Sequence, residues 1–416
     1  MPPEAATPTG HPHHLHPRLH LSLIVALLAM IAPFSIDTYL PSFPDIGREF
    51  AVSPLYLQQT LSFYLLAFAA MTLVYGPLSD AFGRRTVVLG ALAIYVATSI
   101  GCALAPNAHW LLLMRIGQGL SASGGLVVGR AIIRDAFAGS TAQRVMSQVM
   151  LIFALAPAVA PIIGGWLHDA FGWRSVFWFM MLLGLSIWAW VAVALPETLP
   201  RIGRQSAHPR AMLSSYLRAL GNARFMILIG AISFNFGGFF IYIAASPDVI
   251  YRHLGYAADD FGRLFVPLVV GLMSGAFISG RMAERFSHER AASVGFALML
   301  TAALLNLALA YTVTHTIVTI AAPLALYACG MSLTMPNLSL LALDMYPAHR
   351  GLASALQGFS QTAFNALVAG VLAPLLALRV EHMADGLLLL NLAGLGLWLL
   401  WCYREAGSPR AAPHAS

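Results

Sequence analysis

Residues 54–75 and 86–105 are two long apolar runs joined by a charged turn, Gly76-Pro77-Leu78-Ser79-Asp80-Ala81-Phe82-Gly83-Arg84-Arg85. Each run can cross a bilayer, which takes about 20 apolar residues. Runs of this kind recur along the chain. Spans are expected near 19–41, 54–78, 86–105, 109–134, 143–168 and 172–195, and again near 224–247, 258–281, 290–312, 315–341, 350–378 and 384–403. The reading is an all-α polytopic membrane protein with twelve transmembrane helices in two six-helix halves. Composition agrees: 59% of the 416 residues are hydrophobic and 10% charged, with a mean hydropathy of +0.75, whereas a soluble domain carries roughly 25% charge.

Residues 1–18 read as a disordered cytoplasmic tail, with the metal-sensing alternative raised by His11, His13, His14 and His16. Prolines interrupt any fixed ligand geometry there. The first half is 19–195, a cytoplasmic linker 196–223, the second half 224–403, and a second cytoplasmic tail 404–416. All 23 basic residues are arginine. With both termini inside, seventeen fall in cytoplasmic segments and five outside, and Arg115 lies within a span. Arginine near span ends is retained on the cytoplasmic face, so both termini are expected there, in a bacterial inner membrane. The net charge of +6 reflects these loops and gives no reason to expect nucleic acid. Cys102, Cys329 and Cys402 lack metal-like spacing and read as small packing residues. No cofactor or metal site is expected. Gly280-Arg281-Met282-Ala283-Glu284-Arg285-Phe286 echoes the charged turn at an offset of 204 residues, as a duplicated half would.

Of 17 acidic residues, Asp37 is the one clearly inside a span. A charge at that depth costs about 2.5–3.5 kcal/mol on insertion scales. Arg115 is the basic candidate to offset it. Asp37 precedes Pro41 by four residues, about 6 Å at 1.5 Å per residue, and Arg115 follows His109 by six, about 9 Å. Spans 1 and 4 run in opposite directions, so the two reach similar depth. One reading is a static pair that braces the two helices. The other makes Asp37 a titrating carboxylate: burial favours its neutral form and a guanidinium its charged form.

The turn G-x-L-S-D-x-F-G-R-R resembles the loop between helices 2 and 3 of the major facilitator superfamily. Asp37-Thr38-Tyr39-Leu40-Pro41-Ser42-Phe43-Pro44 resembles the end of helix 1 in its Bcr/CflA family of drug/proton antiporters, and Arg115-Ile116-Gly117-Gln118-Gly119 the R-x-x-Q-G of helix 4. Ala156-Pro157-Ala158-Val159-Ala160-Pro161-Ile162-Ile163-Gly164-Gly165-Trp166 resembles the helix 5 antiporter motif, and Gly172-Trp173-Arg174 the start of helix 6. Ala245-Ser246-Pro247 and Gly351 to Gly358 extend the likeness into the second half. Ala81, Thr38 and Asp248 depart from the family's usual Arg, Met and apolar residue.

The resemblance implies a proton-coupled antiporter exporting small amphipathic compounds, as a multidrug or antibiotic efflux transporter. A dedicated metabolite exporter or an uptake symporter of the same fold is the alternative; a membrane-embedded enzyme is the reading of another class, and scattered histidines argue against it. Asp37 and Arg115 would couple protons. Gly76, Asp80, Gly83, Arg84 and Arg85 in the turn, and Pro157, Pro161, Gly164 and Gly165 on helix 5, would serve gating. Tyr39, Gln118, Asn235, Phe239 and Tyr242 are candidate substrate contacts; Phe234 joins them on span 7. Gln357, Gln361 and Asn365 share one face of helix 11, expected to bond between helices. The partners implied are a small-molecule substrate, protons and the lipid bilayer, with the protein a monomer.

Overall fold

The computed structural model describes residues 15–200, 209–283 and 285–406. His11, His13 and His14, Arg201, Arg204, Glu284 and residues 407–416 lie outside the described residues. Among the described residues, twelve helical stretches are long and apolar enough to cross a membrane.

The first half contains α1 (Leu15–Asp37), the short amphipathic α2 (Phe43–Phe50), α3 (Pro54–Phe82), α4 (Arg84–Ala103), α5 (Ala108–Ala136), α6 (Gly139–Phe171) and α7 (Arg174–Ala194). A linker helix α8 (Pro209–Leu220) leads to α9 (Ala223–Ala244), α10 (Phe261–Met282), α11 (His288–Thr312), α12 (Ile317–Asp344), α13 (Arg350–Leu367), α14 (Ala373–Leu376) and α15 (Val380–Ala406). Within the first half α5 packs on α3 and α4, and α1 on α6; in the second, α12 packs on α10 and α11, and α9 on α15.

Several boundaries differ from expectation. The α1 helix stops at Asp37, and a 3-10 turn, Leu40–Ser42, turns the chain into α2. Pro41 and Pro44 lack the N–H a continued helix would need, so Asp37 is the last residue of its helix rather than one turn inside it. Span 11 is not one α-helix: a π-helical segment, Val368–Leu372, separates α13 from α14. A second π segment, Asp248–His253, follows α9 beyond Ser246-Pro247. Within the linker, α8 turns exposed Leu213 and Leu217 outward and buries Ala219, while the Tyr216 hydroxyl donates to Leu73 O at 3.0 Å.

The halves meet along α3–α13 and α6–α10. At the end that carries the turns 51–53 and 104–107, α3 donates into the backbone of the second half. Gln58 Nε2 reaches Ala244 O (2.8 Å), Gln59 Nε2 reaches Gly370 O (2.8 Å) and Ser62 Oγ reaches Ala366 O (2.7 Å). The Tyr251 hydroxyl donates back to Pro41 O at 2.7 Å. A regular helix occupies its own carbonyls; the π segment and the end of α9 place these acceptors at helix irregularities. Along α13 the seam loosens toward the other end: Asn365, Ala366 and Val368–Gly370 are buried, while every residue from Gln357 to Phe364 is half-buried.

Each seam hydrogen bond is worth about 1 kcal/mol. Gln59→Ala combined with Ser62→Ala should therefore leave the fold intact and raise labelling of cysteines placed at this end. The check is the ratio of labelling at the two ends in membrane vesicles.

Candidate functional site

The interior of the first half is built around Arg115, whose side chain has no exposed surface. Its Cζ lies over the rings of Tyr39, at 4.7 Å from the centroid, and Tyr64, at 4.4 Å. Nη1 donates to Gln118 Oε1 (2.7 Å), and Gln118 Nε2 donates to Ser99 Oγ (2.8 Å) on α4. Arg115 Nε and Nη2 have no hydrogen-bond partner among the described residues. Tyr39 is fixed by a hydroxyl contact to Thr60 Oγ1 at 2.9 Å and by Phe177 at 5.3 Å between centroids. Next to it, Ser35 Oγ bonds the Tyr95 hydroxyl at 2.7 Å.

The spacing of Arg115, Gln118 and Gly119 acquires a local reason. Gln118, one turn on, holds the guanidinium and ties it to α4. Gly119 lets α5 approach the backbone that carries Tyr64: a Cβ there would lie 2.2 Å from Tyr64 O. Asp37 is 4% exposed and lies in the same interior. The expected direct pair with Arg115 is not formed: among the described residues no ion pair within 4.0 Å joins them, and the guanidinium lies over the rings of Tyr39 and Tyr64. Depth alone suggested the pairing; in this conformation α1 ends at Asp37 and the guanidinium is engaged by two rings and Gln118. The signal sequence reasoning missed is Tyr64, one of many aromatics in spans.

On α6, Gly164 and Gly165 serve opposite neighbours. A Cβ on Gly164 would meet Thr38 O at 2.2 Å, beside Asp37, and one on Gly165 would meet Ala258 O, in the second half, at 2.1 Å. Pro157 and Pro161 lie inside this helix, which runs on through both.

At the other end, Gly83 joins α3 to α4 with φ 97°, a conformation that suits glycine. Arg84, almost buried, pairs with Asp80 (2.6 Å) and, through Nε, with Asp135 (3.0 Å), while its backbone N–H donates to Glu197 (2.8 Å). Arg85 donates to Ala192 O at 2.6 Å. These ties run within the first half and its exit.

A sequence model of the Major Facilitator Superfamily matches residues 25–374 and 228–411. The chain belongs to the major facilitator superfamily. It is 31% identical over 281 residues to a bicyclomycin resistance protein homolog of Haemophilus influenzae, covering 66% of this chain and 69% of that one. It is 28% identical over 388 residues to multidrug resistance protein D of Escherichia coli, covering 92% and 95%. The crystal structure of a D-xylose–proton symporter superposes with a TM-score of 0.72 at 15% identity, covering 92% of this chain and 97% of that one, which shows the shared fold.

Within this major facilitator fold the span 7 candidates lie inside the second half. Asn235 is fully buried; its O accepts from the Tyr327 hydroxyl (3.0 Å) and its Oδ1 from Asn391 Nδ2 (3.2 Å). Phe239 stacks on Tyr327 at 6.4 Å, and the Tyr242 hydroxyl accepts from Asn306 Nδ2 at 2.7 Å. In this conformation these three hold α9 to α11, α12 and α15. Phe234 instead meets Phe364 of α13 at 4.9 Å. On the helix 11 face, Gln357 Nε2 donates to Ser339 Oγ at 2.7 Å, as expected of interhelical bonding, whereas buried Asn365 Oδ1 has no hydrogen-bond partner among the described residues. Asp248 is half-buried outside the spans; burial raises its carboxyl above the usual range, against the pull of Arg252 and His253.

Gly119→Ala should force α3 away from α5 and destabilise the protein by about 1–3 kcal/mol. Gly90→Ala, which has open space around its Cβ position, should not. Thermal unfolding of both variants in detergent compares them.

Proposed function

We infer that this chain is a proton-coupled antiporter that exports small amphipathic compounds, antibiotics among them. The observation that carries the reading is Asp37: a buried carboxyl that forms no ion pair within 4.0 Å among the described residues, at the bend of α1, beside the closed seam between the halves. Drug efflux is supported by relatives named for resistance to bicyclomycin and to multiple drugs. The arginine distribution supports a cytoplasmic position, in a bacterial inner membrane, for the loose end of the seam, with Gly83, Arg84 and Arg85, and for both termini. The conformation is then closed outside and loosened inside.

Glycines support an alternation between two closures. At the closed end Gly165 faces Ala258 O at 2.1 Å and Gly370 faces Ser62 Oγ at 2.5 Å. At the other end Gly76, Gly280, Gly351 and Gly358 have no atom within 4 Å of a would-be Cβ. Small residues permit close backbone approach between membrane helices, so these four suit a state in which the inner end closes. Asp80 and Arg84 are then the turn's charges available to the second half. A rocking of the halves about the central site exposes Asp37 to each side in turn, which is what exchange of a proton for a solute requires.

In this reading the polar and aromatic groups of the central site, Tyr39 and Gln118 among them, serve Arg115 first, and the solute enters from the loosened side against the half-buried face of α13.

Asp37→Asn should insert and fold, keep the helix bend, and lose export driven by a pH gradient. The check is drug susceptibility of an efflux-deficient host across an antibiotic panel, followed by efflux from vesicles of any compound that the wild type removes. Gradient-driven efflux by the variant would contradict the proposal.

A further inference from the structure

The α13 helix carries two amides whose hydrogen-bonding capacity this conformation leaves open. Asn365 is 5% exposed, and its Oδ1 has no partner among the described residues. Gln361, one turn nearer the loosened end, is half-buried and makes no hydrogen bond among the described residues. Gln357, one turn farther, is by contrast held by Ser339. Beside the two open amides, Phe364 meets Phe234 of α9 edge to face at 4.9 Å, and both rings are half-buried. Gly237 seats this pair: a Cβ there would lie 2.4 Å from the Phe364 ring. Gln361 and Asn365 stand about 60° and 100° around α13 from Phe364, and Ala366, whose carbonyl Ser62 of α3 reaches, about 200°. The amides therefore lie between the α9 side and the α3 side, where the closed seam gives way to its loosened part. We propose that Gln361, Asn365 and the Phe234–Phe364 pair form the solute subsite of the second half, selecting uncharged compounds that join a ring or apolar body to amide or hydroxyl groups. The inference rests on the export reading above and deepens it.

A buried acceptor without a donor costs about 1–3 kcal/mol, and an O–H or N–H brought by a solute removes that cost. Gln361 adds an amide that both donates and accepts, so the two side chains hold an amide or a pair of hydroxyls at two points. The Phe234–Phe364 corner presents ring surface to the body of the solute. Solute advancing from the loosened side displaces the half-buried Gln361 amide and brings its own donor to Asn365.

The same two helices disfavour charge. From Phe225 to Ala244 on α9 and from Gly351 to Leu367 on α13 no acidic or basic side chain occurs. An ionised solute group lying here would meet neutral partners on both helices, and an uncompensated charge at membrane depth is costly. Asn235 and Tyr242, the candidates read from the sequence, are bonded inside the half to Asn391 and Asn306. Asn365 instead adjoins the residue that Ser62 of the first half grips, so a solute bound to it lies against both halves.

The test is equilibrium binding to full-length protein in lipid nanodiscs with two probes. Chloramphenicol is an uncharged ring compound bearing an amide and hydroxyls; tetraphenylphosphonium is a permanent cation without donors. The wild type should bind chloramphenicol more tightly than the cation by about tenfold. Gln361→Leu and Asn365→Leu should each weaken chloramphenicol binding about tenfold. Gln357→Leu, whose amide is already held by Ser339, should leave it unchanged. Asn365→Leu also removes an unsatisfied acceptor, so its unfolding temperature should not fall. A packing role for the two amides predicts lower unfolding temperatures with wild-type affinity in the folded fraction, and that result overturns the proposal. A wild type that binds neither probe, or binds the cation as tightly as chloramphenicol, overturns it too. Gradient-driven export by Asp37→Asn would overturn the coupling role and leave this subsite standing; unchanged binding in both leucine variants, with Asp37→Asn inactive, overturns this inference alone.

Discussion

A charged guanidinium buried at bilayer depth constrains everything around it. Removing an ion from water costs several kcal/mol even after relaxation, and the interior of the first half is arranged to offset that cost without a carboxylate. Two tyrosine faces, one glutamine and the α4 serine behind it surround Arg115. Each support fixes a helix: Tyr39 the end of α1, Tyr64 the first half of α3, Gln118 the approach of α5 to α4. Gly119 is small because the backbone of Tyr64 must come close. Asp37, buried in the same half, forms no ion pair within 4.0 Å among the described residues, and the proposed coupling role rests on that carboxyl.

The seam between the halves follows a second rule. Side chains of α3 grip backbone carbonyls in α9 and α13 rather than side chains. Such acceptors do not depend on the identity of the residue that carries them. They arise where the helix leaves regular α geometry, at the π segment Val368–Leu372 and at the end of α9. A few bonds of about 1 kcal/mol each hold this end closed, and the alternation proposed above requires that they part again. Gly164 and Gly165 connect the two rules, since one glycine seats on the backbone beside Asp37 and the next seats on the second half.

Much of this was legible in the sequence. Lipid demands long apolar helices, so the twelve spans could be counted directly, and the arginine-rich turn after α3 marked a connection that the structure locks through Arg84. Asp37 and Arg115 stood out because charges are rare in spans. Their relation did not follow from depth, because a residue's depth says nothing of the rings that lie between helices; Tyr64 looks like any other aromatic until α5 is packed against it. Local breaks were equally hidden. Residues 350–378 read as one apolar run, and nothing in their composition marks the π segment. Asn235, Phe239 and Tyr242 suggested a binding face, yet the partners that bury them, Asn306, Tyr327 and Asn391, come from three other helices of the same half.

The central claim is that the proton on Asp37 sets which end of the protein is closed. Pulsed electron-electron resonance tests it most directly, with spin labels at exposed Leu55 and Leu378 on the closed end, in protein whose three cysteines have been replaced. The account predicts that in nanodiscs the distance lengthens as pH rises in the wild type, and stays at its short value across the range in Asp37→Asn. A distance in Asp37→Asn that still follows pH as in the wild type would contradict it.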